Sequence, residues 1–439
     1  MRDFLPQDWV FRSALLKAWE TAAETHGFLR YDTPVVDTYE LFERKAGEEI
    51  SEQIYDFRDK SGRHLALRPE ITPSMVRLYA SNRNAFPFPA KVWSIGQCFR
   101  YERMTKARKR EHYQWNIDVI GESSMSCEAW LLATAIYSMN ILGFGAEDFE
   151  VRINSRTLLI DLLNSVGIDP SRHFAVLSLI DKKQKVGQNI LIEELAKEGL
   201  DRAQTDAVLN FTDICNVADL GQFVDYNSAG VKALRELQYF CEKIGIFDYI
   251  RVDTSIVRGL SYYTGIVFEA FDRNREFRAI FGGGRYDGLF RMMTGVDMPS
   301  VGLGFGDVVI SEIYNSRCKV EHSLCPEVDI VVGAYDPTLQ ISAMGLASRL
   351  SKVGFKCDVA LCPLTPKKFF SYASRRSGRL AIFLAPNEMN QGQVVVKNLT
   401  KGKQSLMEFD LPMNIMAAKL KEFDDASQAL EASAPRSQP

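Results

Sequence analysis

The sequence lacks the features that mark several classes of protein. Its eight cysteines form no Cys-x-x-Cys pair, so it shows neither the usual zinc-binding pattern nor a disulfide framework. No apolar run approaches the roughly 20 residues that a membrane-spanning helix requires, and residues 1–6 lack the apolar core of a signal peptide. We therefore expect reduced thiols, no membrane partner and a cytoplasmic location, or a mitochondrial or plastid one if a transit peptide precedes Met1.

An excess of positive charge is also missing. The 439 residues include 53 basic and 56 acidic side chains, which gives a formal net charge of −3. This balance excludes a globally cationic surface, so any contact with nucleic acid must come from local basic patches. The hydrophobic content of 46% and the charged content of 25% are ordinary for a globular enzyme, and the length allows two or three domains.

The first three quarters of the chain predict an antiparallel sheet with flanking helices. Apolar residues recur at helical spacing over residues 8–26, and Gly27 follows as a helix stop. Strand-like runs then appear, but no regular alternation of strand and helix connects them, which disfavours a parallel sheet. These runs are residues 64–69, 90–101, 113–120, 265–271, 277–282 and 301–305.

Three further segments complete the predicted organisation. Residues 155–245 have mostly helical periodicity, and we interpret about 170–240 as a helical insertion in a first domain that covers residues 1–325. Strands and helices alternate after it, which predicts a small α/β domain over residues 326–424. Residues 425–439 have the composition of a disordered tail. The predicted fold class is α+β, followed by an α/β domain.

A short glycine-bounded turn is the most informative segment. Residues 257–265 read Val-Arg-Gly-Leu-Ser-Tyr-Tyr-Thr-Gly and lead into an apolar run. Arg258 can bind a phosphate or carboxylate with two parallel hydrogen bonds, and Tyr262 and Tyr263 each offer a flat face and a hydroxyl. Taken alone, the string is equally compatible with an ordinary turn at the start of a strand.

A basic loop lies between two predicted strands. Six Lys or Arg side chains fall within residues 100–110, and the strand that follows carries Gln114, Asn116 and Asp118 at alternate positions. Alternate side chains of a strand share one face, so these three project together while Tyr113 packs the other way. A polar stripe backed by apolar packing is typical of the floor of a binding site, whereas a basic run alone also fits a solvated turn.

Three more segments add a carboxylate and several glycines. Residues 67–73 read Leu-Arg-Pro-Glu-Ile-Thr-Pro and predict a strand that ends at a proline turn. Glu70 in this turn is either a binding residue or the cap of the next helix. Residues 282–289 begin with three glycines, and residues 300–306 alternate glycine with larger residues before a helix. Each glycine run is weak evidence by itself.

Taken together and in this order, these segments resemble the histidyl-tRNA synthetases, which are class II aminoacyl-tRNA synthetases. The resemblance runs from Arg2 to about residue 424 and is greatest to a branch that includes plant-organelle and some bacterial enzymes. Ser261 stands where the family's histidine signature usually has Asp. The resemblance implies a class II catalytic domain with its antiparallel sheet flanked by helices, followed by an anticodon-binding domain. It also implies a homodimer, through a weak match at Pro34.

The resemblance assigns ATP to the basic loop and its flanks. Arg100 and Arg258 would be the catalytic residues on the α-phosphate, and Arg108 would hold the outer phosphates. In this family the signature arginine, here Arg258, takes over work that a second metal ion performs elsewhere. The implied ATP-binding residues are Arg100, Glu102, Arg108, Tyr113 and Arg258.

Two parts of this assignment depend on features specific to this chain. The basic loop would reach the acceptor end of the tRNA through Arg103 and Thr105. The arginine of the family's third motif is Val309 here. An aromatic residue or another arginine would then have to hold the adenine, and we expect Tyr113 to do so, with Phe305 as an alternative.

The resemblance also assigns a site for the amino acid. Glu70 and Thr72 would hold its amino group, while Gln114 and Asp118 would contact the imidazole. Asp118 stands where many members carry Glu, and its shorter side chain changes the reach of the carboxylate. The implied histidine-binding residues are Glu70, Thr72, Gln114, Asp118, Tyr262 and Tyr263.

The implied activity is the ATP-dependent conversion of L-histidine to histidyl-adenylate and its transfer to tRNA(His), with Mg²⁺ on the outer phosphates. The sequence identifies no protein ligand for the metal. One alternative is a non-catalytic paralogue, either a regulatory subunit of histidine biosynthesis or a tRNA-sensing domain. A synthetase for another amino acid is a further alternative. The arginine and the two tyrosines of the signature favour the enzyme for histidine.

Overall fold

The computed structural model describes residues 1–43, 52–105, 108–181, 183, 187–258, 262–317 and 328–425. The chain divides into two compact units, a larger one formed by Met1–Arg2 and Phe11–Cys318 and a smaller one formed by Asp3–Val10 and Lys319–Pro439. The predicted disordered tail lies outside the described residues from 426 onward. No helix among the described residues combines the length and the apolarity that crossing a bilayer requires.

Eleven β-strands lie in the described part of the larger unit and form two sheets. They are β1 (Leu29–Arg30), β2 (Val36–Thr38), β3 (Tyr55–Arg58), β4 (His64–Leu67), β5 (Ala90–Phe99), β6 (Glu111–Ile120), β7 (Phe149–Ser155), β8 (Ile250–Val252), β9 (Ile266–Asp272), β10 (Phe281–Arg285) and β11 (Ser300–Gly306). The small sheet has the order β2-β4-β3, and the main sheet has the order β1-β5-β6-β11-β10-β9-β7-β8.

The main sheet is antiparallel except at its two edges. The edge pairs β1–β5 and β7–β8 are parallel, and all five pairs between them are antiparallel. Such a sheet has both faces available for packing or for ligands. The predicted α+β fold with its antiparallel sheet is confirmed, with one parallel pair added at each edge.

Eleven α-helices lie among the described residues up to Arg317. They are α1 (Asp8–Thr25), α2 (Tyr39–Glu43), α3 (Thr72–Ser81), α4 (Ser126–Ile141), α5 (Arg156–Ser165), α6 (His173–Asp181), α7 (Gln188–Lys197), α8 (Arg202–Phe211), α9 (Ala229–Lys243), α10 (Gly288–Thr294) and α11 (Asp307–Arg317). Helices α5 to α9 occupy the stretch whose periodicity predicts a helical region.

One face of the main sheet packs on α1. This helix buries Leu15 and Trp19 on one side, as its periodicity predicts, and it ends just before Gly27, whose φ is +74°. The ring of Trp19 lies 5.1 Å from that of Phe305 on β11 and 6.0 Å from that of Trp115 on β6. Because these side chains fill the core, their alternate neighbours on both strands face the opposite side of the sheet.

Three strands of the main sheet, β1, β7 and β8, lie outside the strand-like runs that the sequence predicts. Strand β7 joins β9 to the edge strand β8, and only three residues of β8 pair with it. Strand β7 did carry a signal, because Phe149, Val151 and Ile153 are buried and alternate with polar residues such as Arg152. The helices of the predicted helical region therefore begin directly after this interior strand, at Arg156.

The smaller unit contains an α/β fold, as predicted. Its sheet has the order β13-β12-β14-β15-β16, in which β13, β12 and β14 are parallel and the last two strands are antiparallel. Buried residues of this sheet share one hydrophobic core with α12 and α15, and this core includes Ile382, Leu346 and Leu420. The elements are β12 (Val328–Ala334), α12 (Pro337–Lys352), β13 (Cys357–Val359), α13 (Pro366–Arg375), β14 (Gly378–Leu384), α14 (Pro386–Met389), β15 (Gln393–Asn398), β16 (Gln404–Glu408) and α15 (Met413–Asp425).

Candidate active site

A cavity of 880 Å³ opens on the face of the main sheet that lies opposite α1. Its volume is within the range of roughly 300–1,000 Å³ that is usual for small-molecule sites. Most of the predicted site residues line it, namely Glu70, Thr72, Arg100, Glu102, Arg108, Gln114, Arg258, Tyr262 and Tyr263. Asp118 lies behind its wall, and three other predicted residues, Arg103, Thr105 and Tyr113, are not part of its lining.

Arg258 places a half-buried cation in the cavity. Its φ is +60°, a left-handed conformation that costs a non-glycine residue about 1–3 kcal/mol and that clusters at functional sites. Its Nη1 donates to Oε1 of Glu269 at 2.9 Å, and its guanidinium carbon lies 5.7 Å from the ring centre of Tyr263. Burial opposes the charge, but Tyr263, Glu269 and Tyr262 outweigh it, and the pKa of Arg258 is raised. Arg258 is therefore a permanent cation.

Three tyrosines surround the inner end of the cavity. The rings of Tyr262 and Tyr263 lie 4.6 Å apart, and the ring of Tyr286 stands edge-on to Tyr262 at 6.0 Å. Burial, then Tyr263 and the carboxylate of Glu70, raise the pKa of Tyr262. The phenol of Tyr262 therefore stays protonated and can donate a hydrogen bond. Residues 259–261, including the unusual Ser261, lie outside the described residues.

A contact with a distant tyrosine, which was not predicted from the sequence, holds Asp118. The hydroxyl of Tyr286 donates to Oδ1 of Asp118 across 168 residues of chain, and both side chains are buried. Burial and the Asp118 carboxylate raise the pKa of Tyr286 well above its ordinary value. The pair therefore forms one fixed polar unit in the cavity wall, with Tyr286 on the ligand side.

A chain of amides crosses the cavity floor. Nε2 of Gln114 donates to Oδ1 of Asn116 at 2.7 Å, and Nδ2 of Asn116 donates to Oγ1 of Thr72 at 3.1 Å. Asn116 was recognised as part of the polar stripe but was given no role. Because it joins Gln114 on β6 to Thr72 on α3, it fixes the orientation of two predicted histidine-binding residues.

Glu70 lies in the turn that leads into α3. The helix begins at Thr72 with Ile71 at its N-cap, and no side chain caps it, so the alternative reading of Glu70 as a helix cap does not hold. Arg68 anchors the turn, because its Nε donates to the carbonyl of Gln97 at 2.7 Å. Glu70 is buried, with 6% of its surface exposed, and it lines the cavity.

Glycines in β10 and β11 make room for these side chains. A Cβ placed on Gly302 would lie 1.8 Å from Oδ1 of Asp118, and a Cβ on Gly282 would lie 1.8 Å from Nη1 of Arg258. Real Cβ atoms do not approach other atoms so closely. The glycine runs are weak evidence in the sequence alone. In the structure, glycine is required at 302 by the position of Asp118 and at 282 by the position of Arg258.

The arginine beside these glycines has a structural role. Arg285 is buried at the end of β10, and its Nε and Nη2 donate to the two carboxylate oxygens of Glu128 on α4 at 2.6 and 2.7 Å. A two-point contact of this kind fixes both direction and register. It anchors the end of β10 and with it the glycine-lined floor.

The basic loop contributes further cations to the cavity. Nε of Arg100 donates to the carbonyl of Pro69 at 2.9 Å, which leaves its terminal nitrogens beside the cavity. Nε of Arg108 pairs with Oε2 of Glu102 at 3.2 Å. Arg100, Arg108 and Glu102 thus lie together at one wall of the cavity, next to the turn that carries Glu70.

The two residues predicted to meet the tRNA lie at the tip of this loop. Arg103 and Thr105 are exposed and do not line the cavity. The backbone N–H of Thr105 donates to the carbonyl of Arg108 at 3.1 Å, which closes the tip. Residues 106 and 107 lie outside the described residues.

Tyr113, the residue expected to hold the adenine, is not brought to the cavity. The ladder between β5 and β6 is unbroken over Glu111–Ile120, so alternation keeps Tyr113 on the face of α1. There the guanidinium of Arg12 covers its ring at 3.8 Å. Its neighbour His112 lines the cavity instead. Within an unbroken strand a single side chain cannot change to the other face of the sheet. The loop before β6 therefore does not bring Tyr113 to the cavity.

His112 presents a neutral ring to the cavity. Burial, followed by the charge of Arg100, lowers the pKa of His112 to about 3, although a hydrogen bond with Gln114 opposes this change. Its Nε2 lies 3.2 Å from Oε1 of Gln114. His112 was not among the predicted site residues, yet it lies two residues before Gln114 on the same strand and therefore on the same face.

The start of α11 contributes apolar side chains to the cavity. Val308 and Val309 line it, whereas Phe305 is fully buried against Trp19 and Phe281 in the core. Phe305 is therefore not available to an adenine.

The fold and the site together define a class II aminoacyl-tRNA synthetase, with an antiparallel sheet and an arginine-bearing loop between two of its strands. The sequence model of the histidyl-tRNA synthetase family matches residues 1–306, and that of the anticodon binding domain matches residues 328–422. The chain therefore belongs to the histidyl-tRNA synthetase family.

Individual relatives agree with this assignment. The chain is 38% identical over 403 residues to a chloroplastic/mitochondrial histidine–tRNA ligase of Arabidopsis thaliana, covering 92% of this chain and 83% of the relative. It is 34% identical over 429 residues to the histidine–tRNA ligase of Opitutus terrae, covering 96% and 97%. The fold matches the crystal structure of histidyl-tRNA synthetase from Nostoc sp. PCC 7120 with a TM-score of 0.81, at 24% identity and coverages of 96% and 97%.

Proposed function

We propose that this protein is a histidine–tRNA ligase, which activates L-histidine with ATP and transfers it to tRNA(His). The proposal depends on one observation: Arg100, Arg258 and Glu70 line the same cavity, and its floor consists of hydrogen-bonding side chains. Two cations suit a phosphate, and a buried carboxylate suits an ammonium group. Family membership supplies the reaction that joins these two ligands.

In the first step an oxygen of the histidine carboxylate attacks the α-phosphorus of ATP. The bond from that phosphorus to the β-phosphate oxygen breaks, and pyrophosphate leaves. Arg100 and Arg258 flank the α-phosphate and stabilise its additional charge, because both are directed into the cavity before the substrate binds. In the second step a ribose hydroxyl of the terminal adenosine of the tRNA attacks the acyl carbon, and AMP leaves.

The other side chains of the cavity select histidine. Glu70 and Thr72 bind its ammonium group, while Gln114 and the Asp118–Tyr286 pair bind the two nitrogens of its imidazole. Buried polar groups that lose their partner penalise a wrong ligand, and such sites reject analogues by roughly 10⁴-fold or more. Tyr263 closes the pocket over the ring.

The adenine stacks on His112 in this proposal. A flat ring in the wall can stack on a base, and the lowered pKa of His112 keeps that ring uncharged at neutral pH. The valines at the start of α11 form the apolar side of the same subsite.

Mg²⁺ accompanies ATP in this proposal. The ion prefers phosphate oxygens, water and one or two carboxylates, and Glu102 and Glu269 in the wall can provide the carboxylates. When bound, it neutralises charge on the outer phosphates. No group of three or more metal-binding side chains occurs among the described residues, which fits an ion held mainly by the nucleotide.

The tRNA uses both units in this proposal. The tip of the basic loop, with Arg103 and Thr105, contacts the acceptor end, and the α/β fold of residues 328–422 contacts the anticodon. We also propose a homodimer, as the family resemblance implies. The protein works in the cytoplasm, or in an organelle, since one relative is chloroplastic/mitochondrial.

A non-catalytic paralogue is the alternative, and one solved structure with the same fold carries the names of both classes. It is an ATP phosphoribosyltransferase regulatory subunit/histidyl-tRNA synthetase from Bacillus halodurans, with a TM-score of 0.73 at 20% identity. The fold alone therefore does not separate the two functions. The presence of Arg100, Arg258 and the tyrosine pair around one cavity favours the enzyme.

The test is exchange of labelled pyrophosphate into ATP, measured with each standard amino acid in turn. We expect exchange with histidine and with no other amino acid. Aminoacylation of tRNA(His) should then follow with the same protein. Tight binding of histidine without any exchange would contradict the proposal and would identify a regulatory paralogue.

A further inference from the structure

The first turn of α11 directs no cation into the cavity. Val309 lines the cavity where the family resemblance implies an arginine, and it packs against the main core. Asp307 is buried, and its Oδ2 pairs with Arg12 at 2.9 Å and with Arg2 at 3.0 Å. A bound ATP would therefore lack, at this position, the positive charge that the family's arginine supplies.

Arg278 reaches the same end of the sheet from another element. Strand β10 begins at Phe281, which pairs with Phe305 of β11, and α11 follows β11 directly. The turn that precedes Phe281 therefore runs past the end of β11. Arg278 in this turn lines the cavity together with Val309.

The surroundings of Arg278 favour an anion. Arg108 lines the same cavity, and the carboxylate near both of them, Glu102, already pairs with Arg108 at 3.2 Å. Arg278 is exposed at the open side of the cavity. Loss of hydration and then the charge of Arg108 lower its pKa, although Glu102 opposes this change. Two guanidinium groups that repel each other are both stabilised by an anion that they share, and each can donate two hydrogen bonds to a phosphate.

We propose that Arg278 binds the outer phosphates of ATP together with Arg108 and so replaces the charge that is missing at Val309. The inference rests on the proposed function for the identity of the anion. The additional phosphate-binding cation then belongs to the turn between β9 and β10, whereas the first turn of α11 provides none.

The experiment compares three variants: Arg278→Ala, Arg278→Lys and the double variant Arg278→Ala/Val309→Arg. The KM for ATP comes from histidine-dependent pyrophosphate exchange, and the Kd for Mg²⁺–ATP comes from calorimetry. Loss of a charged hydrogen bond should raise both constants by about tenfold to a hundredfold in Arg278→Ala. We expect Arg278→Lys to retain part of the affinity and the double variant to regain it.

The control is Arg291→Ala, which removes an exposed arginine whose partner is Asp297 at 3.6 Å and which lies outside the cavity lining. It should leave ATP binding unchanged. Unchanged ATP affinity in folded Arg278→Ala would overturn the inference, and so would an equal loss of affinity for histidine, since that would indicate a general distortion. If the unmodified protein showed no exchange, the proposed function would fail, whereas the calorimetric comparison would still test Arg278.

Discussion

Replacing Gly302 with alanine is the most direct test of the proposed imidazole pocket. The new Cβ would lie 1.8 Å from Oδ1 of Asp118, whereas ordinary contacts of a Cβ begin near 3.4 Å, so the carboxylate must move by the difference, about 1.6 Å. A shift of that size breaks its hydrogen bond with Tyr286. Loss of a hydrogen bond to a charged group costs about 1.5–3 kcal/mol, which corresponds to a roughly 10- to 150-fold rise in the KM for histidine.

The assay is pyrophosphate exchange with histidine and ATP varied separately. We expect the KM for histidine to rise in Gly302→Ala while that for ATP changes little. The matched control is Gly345→Ala on α12, where no atom lies within 4 Å of the new Cβ, and it should change neither constant. Circular dichroism establishes that both variants are folded. A folded Gly302→Ala variant with a normal KM for histidine would refute the role given to Asp118.

Three further predictions follow from the same geometry. Gly282→Ala should displace the guanidinium of Arg258 and lower the rate of adenylate formation by about 10²–10³-fold, measured by rapid quench; a normal rate would exclude Arg258 from catalysis. His112→Ala should raise the KM for ATP about tenfold or more, since stacking contributes about 1–3 kcal/mol, whereas Tyr113→Leu should not; the reverse result would restore Tyr113. Because His112 has a pKa of about 3 in the folded protein and 6.5 as its ordinary value, the unfolded state binds the additional proton between these values. The free energy of unfolding should therefore fall as the pH drops through this window, and less so in His112→Phe, in urea titrations.

The local parts of the site could be predicted from the sequence. Alternation along β6 placed Gln114 and Asp118 on one face, and the unbroken pairing on both sides of this strand keeps them there. The same alternation places His112 on the face of Gln114 and Asp118, and it places Tyr113 on the opposite face, towards α1. The expectation for Tyr113 failed because it required the strand to turn at its first residues, and the ladder extends to Glu111.

The contacts between distant segments could not be predicted in this way. The bond from Tyr286 to Asp118 and the need for glycine at 302 both depend on the register between β6 and β11, in which Gly302 pairs with Asp118. If the pairing of β6 with β11 shifted by one residue, a different residue of β11 would lie opposite Asp118. Neither segment by itself sets this register. Strand β7 was missed for another reason, since its alternation was present but was not weighed against the helical region that follows it.

The glycines of the cavity floor make the site depend on the opposite face of the sheet. Gly302 has no side chain with which to hold β11 in place, so the strand is positioned from behind by Leu303 and Phe305, which are almost fully buried. Phe305 packs on Trp19 of α1 and thereby connects the helix to the floor. Because close-packed cores transmit small displacements, the distance between Gly302 and Asp118 is set by packing that no ligand touches. The core residues of α1 and β11 are therefore part of the structural basis of the proposed histidine site, although they lie on the other side of the sheet.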